Sequence, residues 1–187
     1  LLWAVPQPHS RARTAATVDP ENKLLWRTNK RRVDAETLRD SILLISGSLD
    51  PQRGGPSLPA DFKSEFTFKH TSNKRSIYIP VFRNQLHEIF STFDFANPSF
   101  VVGKRFESTI PTQSLYLMNS PFTYQQAQAT AEQLLGQLAD PEDAIRRVYR
   151  HVLCRRPRKE ELVLTQEFLE AEEFSREVRI GLIRSLF

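Results

Sequence analysis

DPENKLLWRTNKRRVDAETLRDSILLISGSLD, residues 19–50, carries two helix signatures separated by a basic joint. The first opens on Asp19-Pro20-Glu21, where a carboxylate can accept from unpaired N–H groups and proline suits the first helical position. A helix starting there turns Leu24, Leu25 and Thr28 inward beside Trp26 and frays around Asn29–Arg32. The second signature begins at Asp34, with Val33 and Leu38 at the spacing of a hydrophobic staple. Leu38, Ile42, Ile45 and Leu49 then recur at helical intervals, and Gly47 can end the helix. Arg39 and Asp40 fall on the opposite side, exposed or facing another element. Arg32, Glu36 and Arg39 are spaced for pairing along the helix.

Working outward, residues 1–18 hold Pro6, Pro8 and the polar run HSRARTAAT, which reads as an extended arm or the end of a preceding segment. Beyond Asp50, Pro51, Gly54, Gly55, Pro56 and Pro59 mark an irregular loop. Gly54-Gly55 lacks the strand and helix that flank a phosphate-cradling loop. Glu65–Lys69 and Ser76–Phe82 alternate on either side of Thr71-Ser72-Asn73, which predicts a short β-hairpin with Pro80 confining its second strand to an edge. Gln85–Phe93 reads as a helix with Leu86, Ile89, Phe90 and Phe93 inward, followed by an aromatic loop through Phe95, Pro98 and Phe100. From Pro111 the chain is helical almost throughout. New helices start at Pro111, at Ser120-Pro121 with Ala127, Ala131, Leu134, Leu135 and Leu138 on one face, at Asp140-Pro141 and after Pro157.

The expected fold is therefore mainly α: a multi-helix orthogonal bundle with a small hairpin or edge-strand element and a Pro/Gly-rich middle loop. One domain spans 19–187. Its last helix reaches Ser185-Leu186-Phe187 without a breaker, so a truncated C-terminus is expected. With 187 residues, 40% hydrophobic and 26% charged, the chain suits a single globular core. No run approaches the ~20 apolar residues of a membrane span. The one cysteine, Cys154, excludes an internal disulfide.

The four histidines, His9, His70, His87 and His151, are far apart in sequence, and neither a haem-attachment nor a zinc-helix motif occurs. His151 and Cys154 could share a helix face but supply two ligands where a structural zinc site needs four. Glu160-Glu161 and Glu172-Glu173 are neighbours that point apart on a helix, a poor arrangement for acid–base work. What remains is a set of arginines near polar partners: Arg27, Arg31, Arg32 and Arg39 with Asp40, then Arg75, Arg83 and Arg105, with Tyr78 between the last groups. Guanidinium groups can fork onto carboxylates, sulfates or phosphates. They can equally clamp a loop-rich region to its helices through ion pairs. The net charge of +4, crowded around Lys23, Arg27, Lys30, Arg31 and Arg32, fits either a solvated face or a polyanion site.

The 19–50 stretch, with Gly-Gly-Pro-Ser at 54–57, resembles the C-terminal domain of unknown function in large planctomycete cytochrome-c-like proteins. RSIYIPVFRNQLHEIFSTFDFANPS at 75–99 and IPTQSLYLMNSPF at 110–122 carry the same resemblance, which continues through Tyr149-Arg150 and Arg156-Pro157. At Cys154-Arg155 the chain departs from the usual Leu-Gly. The resemblance implies an exported, periplasmic or envelope-associated setting, with haem belonging to an upstream segment rather than to this chain. It supplies no catalytic residues. The functional expectation is a non-catalytic binding or assembly module that docks on upstream domains or on anionic envelope glycan through its arginine clusters. The alternative is a hydrolase acting on sulfated polysaccharide, with Arg39, Asp40, Arg75 and Tyr78 in one cleft. Nucleic acid ranks third, since the charge excess is modest and no nucleic-acid motif occurs.

Overall fold

A computed structural model describes residues 10–29, 31–135, 140–171 and 175–187. Leu1–His9, Lys30, Leu138, Glu172 and Glu173, which entered the expectations above, lie outside the described residues. The described chain is mainly helical, as its periodicities predict: α1 (Ser10–Val18), α2 (Ala35–Ile45), α3 (Glu88–Thr92), α4 (Pro111–Asn119), α5 (Pro121–Leu135), α6 (Pro141–Leu153), α7 (Lys159–Ala171) and α8 (Arg176–Leu186).

The starts of these helices follow local chemistry. Asp34 caps α2, its carboxylate accepting from Thr37 N at 2.7 Å, and Val33 packs at the edge of the core that Leu38 enters. Ser120 Oγ accepts from Thr123 N at 3.1 Å just before Pro121 opens α5. Asp140 caps α6 with Pro141 behind it. Gly47, at φ +71°, takes the left-handed position that ends α2, where a side chain would be strained.

The core centres on α5, which packs most extensively against α8, with α2, α4 and α6 closing around it. Ala127 and Ala131 let neighbouring helices approach, and Leu38, Ile42, Phe90, Leu135, Val148, Ile180 and Ile183 fill the interior. A second cluster, Ile145, Tyr149, Leu169, Val178 and Leu182, seals α6, α7 and α8 together. Polar ties fix the C-terminal end of α2: Ser46 Oγ donates to Gln126 Oε1 at 2.7 Å, and the His151 ring lies 2.7 Å from the Ile45 carbonyl.

Three local expectations are corrected. Residues 19–29 form no helix, and Leu24 and Leu25 are exposed. Asp19 does accept from backbone N–H groups, but from those of Lys23 and Leu24. Asn22 and Leu25 take positive φ, Asn22 Oδ1 accepts from Arg27 N, and Trp26 Nε1 donates to the Asp19 carbonyl. Side-chain bonds of this kind compete with the helical ladder, and here they win. The expected hairpin is also absent from the described residues. Its two halves form single 3-10 turns at Glu65–Thr67 and Ser76–Tyr78, and the one β contact is an isolated bridge between Asp50 and Lys74. The described part of the N-terminal arm, Ser10–Val18, is helical rather than extended.

These placements separate two neighbouring leucine-rich stretches. Leu24→Ser should change stability by no more than ~0.5 kcal/mol, whereas Ile42→Ala, which empties a fully buried position, should cost about 2–5 kcal/mol. Urea unfolding of the two variants beside the parent checks both.

Candidate functional site

Helix α2 turns Arg39 inward, away from Leu38 and Ile42, against the irregular segment 72–76. Its side chain is buried, 1% exposed. Nη1 donates to the Lys74 carbonyl at 3.0 Å and to Ser76 Oγ at 3.3 Å, and Nη2 donates to the Ser72 carbonyl. Asp40 sits 3.5 Å from the same guanidinium and accepts from Ser76 N at 2.8 Å and Ser76 Oγ at 2.6 Å. Arg75 approaches the other oxygen of Asp40 at 3.9 Å from the solvent side. Burial pushes the Arg39 pKa down, and Asp40 pulls it back up. A cation this deep is retained because carbonyl oxygens and a carboxylate replace its water.

Beside Arg39 runs a ladder of rings. Phe62 stacks on Phe82 with centroids 5.6 Å apart, and Phe68 meets Phe82 and His70 edge-on. His70 lies 4.9 Å from His87, His87 lies 5.3 Å from Phe90, and Phe90 stacks on Phe95. Arg105 closes the ladder over the Phe95 ring at 5.0 Å while forking onto Glu36 at 2.7 and 2.8 Å. Both ring nitrogens of His70 and Nδ1 of His87 are buried without a hydrogen-bond partner among the described residues. Burial, the Arg39 charge and His70 push the His87 pKa down to about 4. His70 is pushed down as well, by burial first and also by the Arg39 charge. Both imidazoles are thus neutral near pH 7 and pack as aromatic rings.

The sequence-selected residues take different roles. Arg32, Arg39 and Arg105 are clamps: Arg32 donates to Thr109 Oγ1 and to Gln113 Oε1, and Gln113 in turn reaches Thr92 O and Ser108 Oγ. Asp40 is their carboxylate partner. Arg27 stacks over Trp26 at 5.3 Å. Arg31, Arg75 and Arg83 lie on the surface, and Tyr78 is half-buried in its 3-10 turn. The pairs expected along α2 do not form, since Glu36 turns to Arg105 and Arg32 to Gln113. Among the described residues no three His, Cys, Asp or Glu side chains gather as a metal site. Among the described residues no helix is long and apolar enough to cross a membrane.

Two features escaped the sequence reading. The His70–His87 contact joins residues 17 positions apart and left no local signal. The other was visible: Arg155-Arg156-Pro157-Arg158-Lys159, four cations in five residues, lines with Glu160 an open surface cleft of ≈ 700 Å³ at the turn that leads into α7. Arg155 is neutralised there by a two-bond fork onto Glu161, 2.6 Å in each arm.

The model of PSD1, a family of proteins of unknown function (DUF1553), matches residues 6–169. The chain belongs to the PSD1 family. No curated protein and no solved structure matches it.

Two outcomes follow from the geometry of this PSD1 chain. Arg39→Met roughly keeps the volume but leaves the Ser72 and Lys74 carbonyls without their donor and Asp40 without its buried counter-charge, and should cost about 3–5 kcal/mol in urea unfolding. The His87 pKa lies below its ordinary 6.5 in the folded state, so the unfolded chain binds the proton first. Stability is complete above pH 6.5 and falls as the pH drops toward 4, by about 3 kcal/mol from this group. Thermal unfolding between pH 7.5 and 4.5 should show that decline, and His87→Gln should flatten it; equal slopes for both proteins would refute the assignment.

Proposed function

We propose that this chain is a non-catalytic binding or assembly module of a larger exported protein of the planctomycete, cytochrome-c-linked type, working in the periplasm or at the cell envelope. It docks on neighbouring domains of the same polypeptide and on anionic envelope glycan. The setting rests on the resemblance of the stretches at 19–50, 75–99 and 110–122. The observation that carries the binding role is the division of the arginines. Arg32, Arg39 and Arg105 are consumed in clamps, whereas Arg31 and Arg83 are exposed, and Arg75 is exposed while lying 3.9 Å from Asp40. A rigid scaffold that holds exposed guanidinium groups in place suits sulfate or carboxylate groups on a polymer.

The same division weighs against a hydrolase acting on sulfated polysaccharide. Such an enzyme needs Arg39 and Asp40 open to substrate. Arg39 is sealed behind three acceptors, and Asp40 is held by Ser76 and by two arginines. Tyr78 is tied to Arg75 through its backbone, Tyr78 N donating to the Arg75 carbonyl at 2.9 Å.

The test is retention on immobilised heparin against uncharged dextran. The protein should bind heparin alone and elute as ionic strength shortens the screening length from ~10 Å at 0.1 M to ~3 Å at 1 M. Equal retention on both resins, or binding that salt leaves unchanged, would sink the glycan reading.

A further inference from the structure

The arginines picked out above are mostly spoken for, yet the chain carries another cation cluster that its clamps do not use. At the turn from α6 to α7, Arg155, Arg156, Pro157, Arg158, Lys159 and Glu160 line an open cleft. Arg155 is bound by Glu161, lies over the Tyr149 ring at 5.4 Å and serves the turn itself. Glu161 also accepts from Arg158 N at 2.8 Å, so its carboxylate is engaged on both oxygens. The side chains of Arg156, Arg158 and Lys159 are exposed, and none has a carboxylate within ion-pair distance among the described residues. Against these three cations the cleft sets one lining acid, Glu160.

We infer that this cleft is the principal anion-binding site of the domain and takes the sulfate or carboxylate groups of an acidic polysaccharide. The inference rests on the binding-module reading above and places its main contact on a surface remote in sequence from the Arg27–Arg105 clusters. Three features select this ligand. Two guanidinium groups offer forked donors that match planar or tetrahedral oxyanions, and a lysine adds a point charge. Pro157 limits the backbone freedom of the turn that carries the cations. The lining holds no aromatic side chain on which a base could stack, which favours a sugar polymer over single-stranded nucleic acid. The openness of the cleft suits a chain passing across it rather than an enclosed small molecule.

The experiment compares Arg156→Glu/Arg158→Glu with Arg53→Glu/Lys63→Glu, an equal charge reversal at exposed loop positions outside the cleft. Heparin affinity is measured by titration at fixed ionic strength, with a single-stranded oligonucleotide of matched charge as the second probe. Loss of two exposed contacts predicts about ten-fold weaker heparin binding for the cleft variant. The loop variant should stay within about two-fold of the parent, since it changes only the long-range field. Equal losses in the two variants would overturn the site while leaving the binding module intact. Oligonucleotide binding as tight as heparin binding would overturn the ligand class. A parent protein that binds no heparin would remove both the site and the module. Arg156→Gln/Lys159→Gln, which adds no negative charge, should weaken binding in the same direction with an unchanged melting temperature; unchanged affinity in that variant also counts against the cleft.

Discussion

The buried guanidinium of Arg39 is the constraint on which the middle of this protein depends. Residues 50–87 form no regular ladder, so their carbonyl groups must find partners elsewhere or stay in water. Arg39 meets that need from the one element that is already rigid. Anchored in α2 between Leu38 and the fully buried Ile42, it gathers the Ser72 and Lys74 carbonyls and Ser76 Oγ, while Asp40 holds Ser76 from the next position. Two adjacent residues on one helical turn thereby replace a strand pairing. The charge also acts beyond its hydrogen bonds, since it helps keep His70 and His87 neutral and so able to pack among phenylalanines.

That arrangement explains which elements were legible. Helices α2, α4, α5 and α6 begin at Asp or Pro signals whose partners lie within three residues, and a signal that local can be read from the chain. The same logic failed at Asp19 because the local chemistry was itself ambiguous. Asp19 can cap a helix or close a turn, and Asn22, accepting from Arg27 N and donating to the Arg27 carbonyl, decided for the turn. The hairpin failed for the opposite reason. Alternation in Ser76–Phe82 was present, but strands need a partner edge, and the N–H groups of Thr67, Phe68, Tyr78 and Ile79 instead close tight turns onto Ser64, Glu65, Arg75 and Ser76.

The candidate site shows a second boundary of legibility. Periodicity placed Arg39 opposite the apolar stripe and left open whether it met water or another element. The answer lay 33 to 37 residues away. Arg105 and Glu36 are separated by 69 positions, and Arg32 and Gln113 by 81. A charged residue read alone therefore looks the same whether it is a clamp or a ligand contact, and only its distant partner distinguishes the two.

The partner also decides where free positive charge can accumulate. A carboxylate that forks onto one arginine is fixed in direction by it, and the two charges largely offset each other. Glu36 is committed to Arg105, Asp40 to Ser76 and Arg39, and Glu161 to Arg155 and the start of α7. Each commitment stabilises a junction and removes a local counter-charge from its neighbours. At the α6–α7 turn this leaves Arg156, Arg158 and Lys159 together, with Glu161 facing inward to the turn rather than outward to them. Thus the basic character of the cleft is a consequence of how the turn is held. Replacing Glu161 would add positive charge to the cleft and loosen it at once, so affinity and stability are coupled there through a single carboxylate.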